Sequence, residues 1–148
     1  MKWALAMATL AALLVPAHAR LESAQQDKWE EQVRAQLDAS LGAARGMGLH
    51  RTHDPIISTL HANSYKTYTV TLRSSHKYAI TAVCDNDCND IDLKIFHNGA
   101  LVGEDVEKDD TPVVSVEPEE TGEFNVRVIM VNCSSEPCRF GVGIYGTD

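Results

Sequence analysis

The chain has 148 residues, with 21 Asp and Glu against 13 Lys and Arg for a formal charge of −8, and 44% of its residues are hydrophobic. So large an excess of acid disfavours a nucleic-acid partner, because phosphate contacts are made by clustered Lys and Arg. The length suits one domain with a real core and is short for two.

The first segment holds Lys2, an apolar run from Trp3 to Val15, Pro16, and the small-x-small triplet Ala17-His18-Ala19. This is the arrangement of a signal peptide, so residues 1–19 are read as a cleaved export signal that leaves Arg20 at the new amino terminus. The run falls short of the roughly 20 residues a spanning helix needs, and no later segment approaches that length. The mature chain is therefore expected to be soluble and exported, to the periplasm or beyond the cell. Without Lys2 it carries a formal charge of −9 over 129 residues. Export also decides how the four cysteines are read, because oxidising compartments turn paired thiols into disulfides.

Residues 20–48 form the next unit, an amphipathic helix and its linker. From Leu21 to about Ala44 the residues Trp29, Val33, Leu37 and Leu41 recur at four-residue spacing with Glu30, Glu31, Arg34 and Asp38 between them, which is a helical period. Ser23 or Asp27 can cap its start, and Gly42, Gly46 and Gly48 offer places to stop. Its apolar stripe is expected to pack on the following domain, with a dimer or partner-binding role as the alternative. His50 and His53 stand at a spacing that suits a metal on one helical turn, but Pro55 pushes Asp54 out of the helical region. They are read as surface histidines of an extended connector.

Residues 49–148 form the main domain. After Ile56 the period becomes two: Tyr68, Val70 and Leu72 alternate with Thr67, Thr69 and Thr71, and Tyr78, Ile80 and Ala82 continue the pattern toward Cys84. Ile91, Leu93 and Ile95 give a third strand, and Asn98-Gly99 is a strong hairpin signal feeding Ala100 to Gly103. Pro112 to Glu117, Glu123 to Asn132 and Cys138 to Tyr145 complete the set, with Ile56 to Leu60 as a further edge. Seven or eight short strands without an internal helix predict an all-β, antiparallel, jelly-roll-like sandwich preceded by one amphipathic helix.

If successive strands alternate in direction, the segments Asp85 to Asp90, Asp105 to Thr111 and Cys133 to Pro137 share one end of the sandwich. All four cysteines meet there. Local pairs Cys84–Cys88 and Cys133–Cys138 would each clasp one loop, at about 2 kcal/mol per ring in the chain-entropy model; a long bridge such as Cys84 to Cys138 would give about 4 kcal/mol. Local pairing is the expectation, since each pair spans a loop whose ends must be held together. A four-thiolate zinc site is the rival, but the cysteine spacings are wider than a double Cys-x-x-Cys pattern. The same loops carry Asp85, Asp87, Asp90, Asp92, Asp105, Asp109 and Asp110, oxygen donors of the kind calcium takes in sets of six to eight. As an EF-hand the segment fails, with Asp90 at the glycine position and Phe96 at the final glutamate position. A calcium site in the sandwich loops is therefore weighed against simple turn capping by the same carboxylates.

The run Asp90-Ile91-Asp92-Leu93-Lys94-Ile95-Phe96, then Asp109-Asp110-Thr111-Pro112-Val113-Val114, then Glu119-Glu120-Thr121-Gly122-Glu123-Phe124-Asn125-Val126-Arg127-Val128, resembles the bacterial pre-peptidase C-terminal domain. The resemblance covers Ile56 to Gly146. It implies a non-catalytic, jelly-roll-like sandwich of the kind appended to secreted peptidases, related in architecture to collagen- and carbohydrate-binding modules, some of which bind calcium. The chain departs from that pattern by lacking a peptidase domain, by its helix, and by its two cysteine pairs.

Three functions of different class follow. The first is a non-catalytic binding or accessory module for a protein or glycan ligand. The second is a structural envelope protein assembling through its helix. The third is a hydrolase using a pair such as Asp90 and Asp92; no Gly-x-Ser-x-Gly, His-Glu-x-x-His or phosphate-loop pattern supports it. The ligand and the oligomeric state are not written in the residue pattern.

Overall fold

The computed structural model describes residues 17–148. Residues 1–16, most of the signal-peptide reading, lie outside the described residues.

Among the described residues one helix, α1 (Ala17–Gly46), precedes nine strands: β1 (His50–Arg51), β2 (Ile56–Leu60), β3 (Ser64–Leu72), β4 (Tyr78–Cys84), β5 (Cys88–His97), β6 (Ala100–Asp105), β7 (Val113–Val116), β8 (Gly122–Cys133) and β9 (Cys138–Gly146). All strand pairings are antiparallel. One sheet runs β2-β9-β4-β7, with β1 extending the β2 edge along β9, and the other runs β3-β8-β5-β6. Only β5 and β6 are joined as a hairpin within a sheet; every other link from β2 onward crosses from one sheet to the other. This interleaving is the eight-stranded jelly-roll order. The expected sandwich is thus present, and β1 is the addition: His50 and Arg51 pair with Gly146 and Tyr145.

Alternation supplies the core between the sheets. Ile91, Leu93 and Ile95 of β5 and Phe124, Val126, Val128 and Met130 of β8 face Tyr78, Ile80 and Ala82 of β4 and Phe140, Val142 and Ile144 of β9. Asn98 (φ 50°) and Gly99 (φ 80°) adopt the left-handed conformations that a two-residue hairpin turn requires.

Strand β4 is buried along its whole length, on both faces, because α1 lies over the outer face of its sheet. Val33 and Leu37 pack on Val83 and Ile57, while Leu41 and Ala44 pack on Tyr145 and Leu49. The Tyr145 hydroxyl donates to the Leu37 carbonyl at 3.0 Å. Gly141 permits this approach, for a Cβ there would stand 2.7 Å from a Val33 methyl and 2.8 Å from a Leu37 methyl. Polar ties flank the seam, including Arg139 Nη1 to Glu30 Oε2 at 3.1 Å and Arg51 Nη2 to Asp38 Oδ1 at 3.2 Å. The helix stripe therefore packs on the following domain, as its spacing predicts.

The helix begins earlier than its pattern suggests, which places Ser23 and Asp27 in its interior rather than at its cap. Its end is sharply defined. Leu49 N–H donates to the Ala44 carbonyl and Gly48 N–H to the Arg45 carbonyl, with Gly48 at φ 77°. That is a Schellman ending, and Leu49 packing beside Ala44 supplies its usual apolar contact.

Candidate functional site

Four loops meet at one end of the sandwich. Three are those expected, joining β4 to β5, β6 to β7 and β8 to β9. The fourth, His61 to Asn63 between β2 and β3, was not anticipated, because nothing in its composition separates it from an ordinary turn. Glu136 joins it to the β8–β9 loop: Oε2 lies 2.9 Å from His61 Nδ1, and Oε1 accepts the Ala62 N–H at 2.9 Å. These two contacts hold the Glu136 carboxyl below its ordinary range, with the His61 bond the larger cause.

Both cysteine pairs are local. Cys84 is bonded to Cys88 and Cys133 to Cys138, with Cα separations of 5.9 and 5.8 Å. Cys88 and Cys133 are also register partners across β5 and β8. The two clasps thus stand side by side and tie both loops to a common point. With both disulfides formed, no thiolate remains for zinc. Replacing Cys133 and Cys138 together by Ala is expected to lower the unfolding free energy by about 2 kcal/mol, measured by urea unfolding, because the ring closed is small.

Asp85 lies at the centre of this end and is 1% exposed. Its Oδ2 accepts the Arg139 N–H at 2.6 Å and its Oδ1 the Asp87 N–H at 3.2 Å. Its own N–H donates to the Arg139 carbonyl. Burial pushes the Asp85 carboxyl above its ordinary value, and the hydrogen bonds offset only part of that rise. Two residues on, the chain continues the fastening, as the Asp87 carbonyl accepts both the N–H and the hydroxyl of Ser134, at 2.7 and 2.9 Å.

The other acidic side chains do related work. Asp105 accepts the Glu107 N–H through Oδ1 and the Val113 N–H at 2.9 Å through Oδ2. Asp109 Oδ1 accepts the Thr111 N–H at 2.9 Å, and Asp110 Oδ1 the Thr111 hydroxyl at 3.1 Å. Asp90 and Asp92 lie on β5 near the strand irregularity at Asp90. Burial, followed by the neighbouring Asp90, raises the Asp92 carboxyl, while Lys94 opposes the shift. Among the described residues no three His, Cys, Asp or Glu side chains are placed to hold a metal ion. The seven aspartates considered for calcium share an end of the fold but do not converge on one coordination sphere. Asp85, Asp105 and Asp109 direct oxygens at backbone N–H groups, which is turn capping.

The opposite end holds a feature that the strand bookkeeping did not foresee. An open groove of about 530 Å³ is lined by His50, Arg51, His53, Arg73 and His76, with Tyr78 and Thr147 among its remaining walls. These residues come from β1 and its connector, the end of β3, the β3–β4 link, and the chain after β9. No sequence window contains them together, so periodicity and spacing carried no signal for the groove. His53 is a connector residue as expected, whereas His50 belongs to β1, and both line this groove.

No protein-family model matches the chain, and no curated protein is significantly similar to it.

Proposed function

We propose that the chain is a non-catalytic, exported β-sandwich binding or accessory module that presents the four-loop end to a protein or glycan, and that it is akin to the pre-peptidase C-terminal domain. The observation that carries this reading is the fastening of that end. Two disulfides, the buried Asp85 and the Glu136 clasp fasten three of these loops to one another, and the Ile91 N–H, donating to the Asp109 carbonyl at 3.0 Å, ties in the β6–β7 loop; a pre-ordered loop surface loses less entropy on binding. The jelly-roll order and the cystine clasps fit the family resemblance and an oxidising compartment respectively. Envelope assembly through α1 is the weaker alternative, because Val33, Leu37 and Leu41 are buried against the chain's own sheet. Hydrolysis is weaker still, since Asp85, Asp105 and Asp109 are occupied as turn caps and no nucleophile motif stands beside Asp90 and Asp92.

An array of glycans and extracellular-matrix proteins tests the reading. The wild type should retain at least one array member, and a variant with Asn89 at the start of β5 and Lys108 and Ser135 in the loops changed to Ala, all three exposed, should lose it while keeping its melting temperature. Retention by that triple variant would remove the loop end as the binding surface. Hydrolysis of an array member that disappears in Asp90→Asn would replace the module with an enzyme.

A further inference from the structure

Strand β7 is the outermost strand of its sheet, paired with β4 on one side and with no other strand among the described residues. We propose that this free edge takes up an extended segment of a partner protein as an added strand, one whose side chains are apolar on one side and Lys or Arg on the other. The edge runs down the flank of the sandwich, so it stands as a site whether or not the four loops at the end bind a ligand.

The ladder bonds decide which backbone groups are free. The Ala82 N–H donates to the Pro112 carbonyl at 3.1 Å, and the antiparallel register then makes Ile80 with Val114 and Tyr78 with Val116 the hydrogen-bonded pairs. Val113, Ser115 and Glu117 therefore turn their backbone N–H and carbonyl groups away from β4. Asp105 Oδ2 accepts the Val113 N–H at 2.9 Å, which closes the edge near the loops and leaves Ser115 at the centre of the open stretch. Strand β6 passes close by at Gly103, where a Cβ would stand 2.6 Å from a Val114 methyl and 3.9 Å from the Ser115 carbonyl. With no side chain there to cover the edge, Ser115 is exposed.

Successive side chains of an added strand point to opposite faces of the sheet, and a cleft lies on each face of this edge. On the helix side a mostly apolar cleft of about 550 Å³ has Met47, Leu49, Ala79 and Val113 in its walls, with Lys77 and Glu117 as charged members of opposite sign. On the side of the other sheet a cleft of about 410 Å³ holds Val102, Pro118 and Phe124 together with Glu117, Glu119 and Glu120. Ser115, Val116 and Glu117 line both, so β7 is the ridge between them. Met47, Val102 and Val113 are among the most exposed large apolar side chains of the described residues, at 67, 44 and 49%. Apolar groups gathered at an open strand edge mark an interaction surface. Charge selects the occupant. The second cleft has three carboxylates and no Lys or Arg among the described residues, which favours cationic side chains on the matching face of the partner. A second copy of this chain would bring the same glutamates to the same edge, and like charge opposes that pairing.

Labelled octapeptides of alternating Lys and Val, alternating Glu and Val, and alternating Lys and Ser are titrated into the full chain and followed by fluorescence anisotropy, while backbone amide shifts locate the contact. The expected result is saturable binding of the Lys-Val peptide about tenfold tighter than either control, with movement at Met47, Val102, Ser115 and Glu117. Ser115→Pro removes the outward N–H at a position where an edge strand tolerates proline, and should weaken that binding about tenfold. Glu119→Lys combined with Glu120→Lys should weaken the Lys-Val peptide and strengthen the Glu-Val peptide, and serves if the proline variant is poorly folded. Sedimentation of the chain alone should give a monomer. Absence of saturation with Lys-Val, Lys-Ser binding as tight as Lys-Val, or undiminished binding in both well-folded variants would overturn the site. A dimer of the chain that Ser115→Pro dissociates would overturn it too, by giving the edge to a second copy.

Discussion

Replacing Leu37 by Ala is expected to lower the unfolding free energy by about 3 kcal/mol, within the range for large-to-small changes at fully buried sites. Leu37 is 1% exposed and fills the seam between α1 and β9 above Gly141. The cavity cannot close easily, because the Tyr145 hydroxyl fixes the Leu37 carbonyl and Arg139 fixes Glu30 about two turns earlier. Urea unfolding read by far-ultraviolet circular dichroism and by Trp29 fluorescence checks the result. If helix and sandwich form one cooperative unit, both probes shift together to lower urea. An early Trp29 transition with an unchanged sheet signal would show instead that α1 detaches independently.

Asp85→Ala is expected to destabilise the protein by about 2–4 kcal/mol, because the Arg139 and Asp87 N–H groups lose their acceptor in a buried setting. The pH dependence has a definite sign. The Asp85 carboxyl is raised in the folded state by burial, so between its unfolded and folded values the native state binds more protons than the unfolded one. Its contribution to stability is then fully present below the unfolded value and falls as pH rises through the raised one. The deficit of Asp85→Ala should accordingly be larger near about pH 3 than near about pH 7 in matched urea unfolding series. A deficit that grew with pH would mean that the hydrogen bonds outweigh burial at this carboxyl.

Glu136 has the opposite sign. Its lowered carboxyl, set chiefly by His61, contributes stability above the ordinary carboxylate range that is lost as pH falls through the depressed value. The two groups sit at the same end of the sandwich and pull its acid response in opposite directions.

Much of the strand set was legible because a half-buried strand must alternate. Tyr68, Val70 and Leu72, or Phe124, Val126 and Val128, announce one face toward a core and one toward water. The Asn98-Gly99 turn was equally plain, since few other pairs accept two left-handed conformations in succession. The local cystine pairing also followed from strand direction, because each pair spans a single loop. Less was visible in β4 and β9, where Ala79, Gly141 and Gly143 interrupt any simple alternation. Their smallness answers to a second layer: Gly141 admits α1, and Gly143 lies against the Tyr145 phenol. A helix covering a sheet removes the polar outward residues on which the two-residue period depends.

The aspartates divide in the same way. Composition places many carboxylates in the loops and leaves open whether they hold an ion or cap turns; their partners decide between these, and Arg139, which supplies one of the two N–H groups facing Asp85, is 54 positions away in the chain.

By itself the sequence determined the class of elements and the order of the strands from β2 onward, and it favoured the local cysteine clasps, because local period, turn chemistry and ring closure act over a few residues. Tertiary structure alone decided where α1 docks, that Asp85 is buried, that His61 joins the loop end, and that Arg73 and His76 meet His50 and His53 in one groove. Those depend on contacts between segments distant in the chain, whose geometry is set by how two sheets and a helix close on one another.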